Sequence, residues 1–425
     1  MSILNITEPV IFDESLASYE LHTYVPYAAT ALNNNDEIRI PIQNQDVYIL
    51  PSQSYLQIEG RLTNVPAPAV AEVPATATTQ RIPAKNKIDE TPVDLNTYIV
   101  ANGLLHLFSD ARYEINGVTI DHTNNPGITS TMKNWCGLAN SEAALHSSTG
   151  WSAASALNHQ NGYFSANIPL SYLFGFAEDY RKILVNVKQE LVLVRANTDN
   201  NVMAGVEARN GVEIKLTKIV WRMPHITVND VARLNLLKTI QSDPWLEMGF
   251  MNWELHEYPL LPINKFQTWS VKCASKMEVP RFVIIGFQTQ RKNDQTKNAS
   301  HFDFCNLSDI KLFLNGVQYP YNNVRTDFAK NRYDTLYTMY SNFQQAYYRK
   351  RNEPILNRTK WKEDAALIVI NCSHQNEIIK SGAVDVRLEW ETAEDTPANT
   401  TAYCLILHDK VVRYKPLSSV VEVVV

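Results

Sequence analysis

At 425 residues the chain is too long for one comfortable core and points to about two domains. A net charge of −5, evenly spread, excludes the basic face or tail expected of a nucleic-acid-coating protein. No apolar run approaches the 18 residues of a membrane span, and the first twenty residues lack the basic and apolar regions of a signal peptide.

Residues 1–36 read as an arm with little periodicity, ending in Asn33-Asn34-Asn35-Asp36. Ile38, Ile40 and Ile42 then alternate with Glu37, Arg39 and Gln43, the period-2 pattern of a half-buried strand. Leu56, Ile58 and Leu62 against Gln57, Glu59 and Arg61 give a second strand. Residues 64–97 are rich in Pro, Ala and Thr and read as an exposed insertion, because such a stretch makes no ladder.

Next comes Ser109-Asp110-Ala111-Arg112-Tyr113-Glu114-Ile115-Asn116-Gly117-Val118, and the chain returns to it at Ser308-Asp309-Ile310-Lys311-Leu312-Phe313-Leu314-Asn315-Gly316-Val317. Asn-Gly is the preferred pair for a type I′ turn, in which both residues need φ > 0. The turn residues Asn116, Gly117, Asn315 and Gly316 therefore mark two equivalent hairpins and a duplicated β domain.

Short helices are predicted at 141–146 and 170–182, one long strand over 183–193 and another from Val212 into Trp221-Arg222-Met223-Pro224. Asn229 or Asp230 can cap a helix carrying Val231, Leu234, Leu237 and Ile240 at i, i+3 spacing, with Pro244 beyond its end. That helix marks the junction. The second half repeats the plan: strands at 266–273 and 281–290, a polar insertion at 291–300, the second hairpin, and a helix from Asp334 with Leu336, Met339, Tyr340, Phe343 and Tyr347 on one side. Strands follow at 366–371, 384–390 and 403–414. The expectation is an all-β chain: two tandem eight-stranded jelly-roll barrels, a double jelly roll, with short helices in the connecting loops. Its divisions are an arm at 1–36, a first jelly roll at 37–228, a linker helix at 229–250 and a second jelly roll at 251–425.

Chemistry is hard to find. None of the ten histidines forms an HxH pair, and Glu254-Leu255-His256-Glu257 is not HExxH, so no metal site is expected. Cys372 and His374 share a strand face with no further ligand nearby. The five cysteines form no CxxC and read as reduced, buried thiols. There is no GxSxG and no phosphate-cradling GxxxxGK[ST], so neither a catalytic residue nor a cofactor is expected. His408-Asp409-Lys410 reads as a polar turn. Arg349-Lys350-Arg351 reads as a helix end, with a nuclear-import signal or a nucleic-acid contact as the sharper option. Tyr333, Tyr337, Tyr340, Phe343, Tyr347 and Tyr348 read as core or subunit interface rather than a base-stacking platform.

Three stretches carry a resemblance: residues 36–43 (DEIRIPIQ), residues 112–121 (RYEINGVTID) with Gly127-Ile128-Thr129-Ser130-Thr131, and residues 168–182 (IPLSYLFGFAEDYRK). On these the chain resembles double jelly-roll major capsid proteins of the adenovirus-like, Polinton and adintovirus group, including virus-derived copies in arthropod genomes. The resemblance implies a homotrimer with a pseudo-sixfold outline tiling an icosahedral shell, with a penton or minor capsid protein as further partner. It implies no direct nucleic-acid binding, a place in the virion, and synthesis in the host cytoplasm with nuclear assembly as an option. An underlying membrane is left open. It also implies that the loops at 64–97 and 291–300 form the outer surface, and that the tail Val420–Val425 makes neighbour contacts or a last barrel strand. The rival readings are a two-domain hydrolase of the glycan amidase type, needing converging carboxylates, and a carbohydrate-binding attachment protein.

Overall fold

The computed structural model describes residues 16–27, 32–43, 48–64, 97–151, 162–205, 211–271, 280–374 and 384–424. The expected insertion at 64–97 therefore lies almost wholly outside the described residues, as does Cys273.

Eight strands build the first barrel: β1 Leu16–Tyr24, β2 Glu37–Ile42, β3 Tyr55–Asn64, β4 Phe108–Ile115, β5 Val118–Asn124, β6 Tyr163–Pro169, β7 Gln189–Arg195 and β8 Val212–Val228. Eight more build the second: β9 Leu246–Tyr258, β10 Phe266–Val271, β11 Pro280–Thr289, β12 Leu307–Leu314, β13 Val317–Tyr319, β14 Ile368–Asn371, β15 Val386–Thr392 and β16 Thr400–Tyr414. The longer strands of the first run β6-β3-β8-β1, a sheet that the two-residue strands Tyr48–Ile49 and Leu184–Val185 extend from β8, and β2-β7-β4-β5; those of the second run β14-β11-β16-β9 and β10-β15-β12-β13. Each strand thus has its counterpart eight places on. All pairings between these strands are antiparallel, and β17, Val421–Val424, adds to β16, so the apolar tail is a barrel strand.

The alternation at Ile38, Ile40 and Ile42 is the core face of β2, where all three are at most 1% exposed. Burying each such side chain contributes about 1.5–3 kcal/mol. In β11 both faces of Phe282–Phe287 are buried. One faces the barrel core and helices cover the other, with the Phe282 and Phe343 rings 5.3 Å apart.

Several expectations need correction. The arm at 1–36 contains β1, which pairs along β8 from Leu16 opposite Val228 to Tyr24 opposite Trp221. Almost all its side chains face solvent, so hydrogen bonding rather than burial defines it and no alternation marks it. The linker helix expected at 229–250 is α4, Asp230–Gln241, and the second barrel is already under way at Leu246, ahead of 251. The strand expected over 183–193 breaks at Asn186, whose φ of 55° takes Leu184–Val185 into a different sheet from β7. His408-Asp409-Lys410 is no turn: it lies inside β16, opposite Asn252, Met251 and Phe250.

The helices gather between the fifth and sixth strands of each barrel. The first holds α1 Pro126–Gly137 and α2 Ala143–His146; the second holds α5 Asp334–Ser341, α6 Phe343–Tyr348 and α7 Arg358–Asp364. A short helix, α3 Gly175–Asp179, follows β6.

Candidate functional site: the junction between the barrels

The two hairpins occupy equivalent places and make the same bonds. Asn116 (φ 50°) and Gly117 (φ 80°) join β4 to β5; Asn315 (φ 47°) and Gly316 (φ 82°) join β12 to β13. The Asn116 amide donates to the Lys188 carbonyl and its Oδ1 accepts from the Lys188 amide, both at 2.9 Å. Asn315 repeats this with Asp385, at 3.0 and 2.8 Å. Even the neighbouring ion pair recurs, Arg112 with Asp110 and Lys311 with Asp309. Asn116 differs in one respect: its Nδ2 reaches the Ser419 carbonyl of the second barrel at 3.1 Å. These four residues shape turns, and the Asn116 and Asn315 side chains turn to backbone groups.

The richest chemistry lies where the barrels meet. Asn125, at a φ of 46°, turns the chain into α1, and Pro126 starts the helix where a missing N–H costs nothing. All of α1 from Pro126 to Cys136 is buried, because it runs between its own barrel and β9, β11 and β16 of the other. Tyr340 donates to the Trp135 carbonyl at 2.7 Å and Gln344 to that of Leu138 at 2.8 Å, while Trp135 donates to Ser300 at 2.9 Å.

Lys133, on α1, is 1% exposed. Its ammonium pairs with Glu178 of α3 and bonds the Tyr348 hydroxyl, and it lies 4.8 Å from the Trp253 ring centre and 5.3 Å from that of Tyr347. Glu178 also accepts from Tyr347 at 3.2 Å and Tyr348 at 2.6 Å. A buried cation is tolerated only when paired and surrounded in this way. Beside it Asp179 accepts from the Met251 amide at 2.8 Å, and burial, reinforced by the Glu178 carboxylate, pushes its carboxyl up to about 6. Burial likewise drives the Tyr347 and Tyr348 phenols far above their ordinary range. A cavity of about 380 Å³ opens alongside, lined among others by Gln53, His146, Glu178, Arg181, Tyr348 and Lys350. Its imidazole, His146, is bonded through Nδ1 to the Tyr172 hydroxyl, whose phenol burial pushes up.

Tyr340, Phe343 and Tyr333 are core, and Tyr347 and Tyr348 belong to the Lys133 cage, so the aromatic series packs instead of forming an open platform. The single helix expected there breaks at Asn342 into α5 and α6. Arg349 ends α6 in a left-handed conformation. The polar stretch 291–300 folds back on the first barrel, with Gln295 bonded to the Val212 carbonyl at 2.8 Å and Ser300 fully buried. It clasps the first barrel while Lys292, Asn293 and Thr296 stay exposed. Burial pushes the Cys305 and Cys372 thiols up to about 12. Among the described residues no group of three or more His, Cys, Asp or Glu gathers to hold a metal. The roles of Lys133, Glu178 and Gly175 were not foreseen; nothing in the local pattern around Lys133, which stands between Met132 and Asn134-Trp135, marks it as buried.

The family model of the double jelly roll-like domain matches residues 97–412, across both barrels. The chain belongs to that family. The double jelly roll is also what solved structures share with it. The Faustovirus major capsid protein is 11% identical with a TM-score of 0.57, covering 96% of this chain and 92% of its own. A Sputnik virophage chain is 9% identical at 0.61, covering 99% and 91%, and the mavirus major capsid protein 10% identical at 0.57, covering 99% and 92%. A comparison with curated proteins finds no match.

Proposed function

We propose that this double jelly roll is the major structural subunit of an icosahedral virus shell, acting by shape and not by reaction. The observation that carries the reading is the strand-for-strand equivalence of the two barrels, locked by the Lys133 cage. A rigid pair of like barrels lets three chains present six similar edges to a hexagonal lattice, with each chain in an identical environment. The capsid proteins of Faustovirus and mavirus share the fold over nearly their full length, which supports the same role here. On this reading the protein's chief partner is itself, first as a homotrimer and then in the virion lattice, with a minor capsid protein at the fivefold positions. A hydrolase of amidase type gains no support from the cavity beside Glu178, whose carboxylate is held by Lys133 and two tyrosines. Light scattering on the purified chain tests the proposal. A mass three times the 48.3 kDa of one chain is expected, and a monomer at every concentration would refute it.

A further inference from the structure

Helix α4 presents an apolar face that no described residue covers. Asn229 caps it by accepting from the Ala232 amide at 2.8 Å, and Ala232, Leu236 and Ile240 are half-buried on its inner side. On its outer side Val231, Leu234 and Leu237 are 68, 59 and 46% exposed. No residue of the helix is fully buried. A 12-residue helix is marginal in water on its own and takes most of its stability from packing.

Residues 1–15, which precede β1, have the composition to supply that packing. Leu16 stands opposite Val228, one residue before the α4 cap, and β1 runs antiparallel to β8. Leu16, where β1 begins, therefore stands beside the start of α4. Residues 1–15 carry Ile3, Leu4, Ile6, Val10, Ile11 and Phe12, with Glu8, Asp13 and Glu14 and no Lys or Arg. Beside its apolar face α4 carries Arg233 and Lys238, both exposed. From Val231 to Leu237 the helix rises only about 9 Å, which about three extended residues cover.

We propose that residues 1–15 dock in cis along the outer face of α4, covering Val231, Leu234 and Leu237, with their carboxylates toward Arg233 and Lys238. Because these side chains are exposed, a photo-crosslinking benzoylphenylalanine replacing Leu234 in the full chain leaves the fold intact. Irradiation and peptide mapping are expected to join position 234 to a peptide from residues 1–15. A chain carrying the crosslinker but lacking residues 2–15, co-expressed with the unmodified full chain, is expected to give no such product; capture of the other copy's segment would overturn the cis assignment. Capture of neither segment, or of lipid from added anionic vesicles instead, would overturn the proposal. Independently, deleting residues 2–15 is expected to speed amide exchange in α4 at least tenfold, and unchanged exchange would contradict the docking.

Discussion

Gly175, at the start of α3, lies so close to the Met251 carbonyl of β9 that a Cβ would stand 1.7 Å from that oxygen. The first barrel touches the second there, backbone to backbone, with the Asp179–Met251 bond one helical turn away. Gly175→Ala is expected to force the barrels apart and cost about 1–3 kcal/mol, the usual penalty of overpacking. Gly249→Ala, with open space around it, is the control and should move the melting temperature little. Thermal unfolding of the two variants checks this.

The Lys133–Glu178 pair should break asymmetrically. Removing the carboxylate with Glu178→Leu strands an ammonium that is 1% exposed, at a cost of about 3–5 kcal/mol. Removing the ammonium with Lys133→Met leaves a carboxylate 12% exposed that still accepts from two tyrosine hydroxyls, so its cost should be smaller. Denaturant titration of both variants gives the comparison. Equal losses would mean that the tyrosines do not support Glu178.

The hairpins give a strain prediction free of packing. Nothing lies within 4 Å of a Cβ at Gly117 or Gly316, so valine at either meets only the cost of positive φ. Gly117→Val and Gly316→Val should each lose about 1–2 kcal/mol in denaturant titration, by similar amounts because the turns are equivalent.

His106 makes stability depend on pH. Burial lowers its pKa from 6.5 to about 4, with the ring against α1 and 3.5 Å from Ser300 Oγ. Between those values the unfolded chain binds the proton and the folded chain does not, so this residue's contribution falls as pH falls from 6.5 to 4. The loss reaches about 3 kcal/mol. Asp121 and Asp179, both raised to about 6 by burial, act in the opposite sense, so total stability mixes the signs. The difference in stability between the parent chain and His106→Gln, followed from pH 7 to 4, isolates the histidine.

What the sequence disclosed and what it hid divide along physical lines. The Asn-Gly turns and the Ile38-Ile40-Ile42 face were legible, because local conformation and one buried face leave local patterns. Strand β1 was not, since both its faces are largely open and no alternation is imposed. Helix α1 was not either: buried all round, it has no polar stripe to betray its period. The Lys133 cage draws on four separate stretches of both barrels, so only the folded chain assembles it. The polar clasp at 291–300 looked like a surface loop because its bonds are polar too.

Electron microscopy of the purified protein is the most direct test of a shell-forming subunit built from two equivalent barrels. Class averages should show a six-lobed particle of three chains, closing into shells as concentration rises. Single two-lobed particles under all assembly conditions would contradict it.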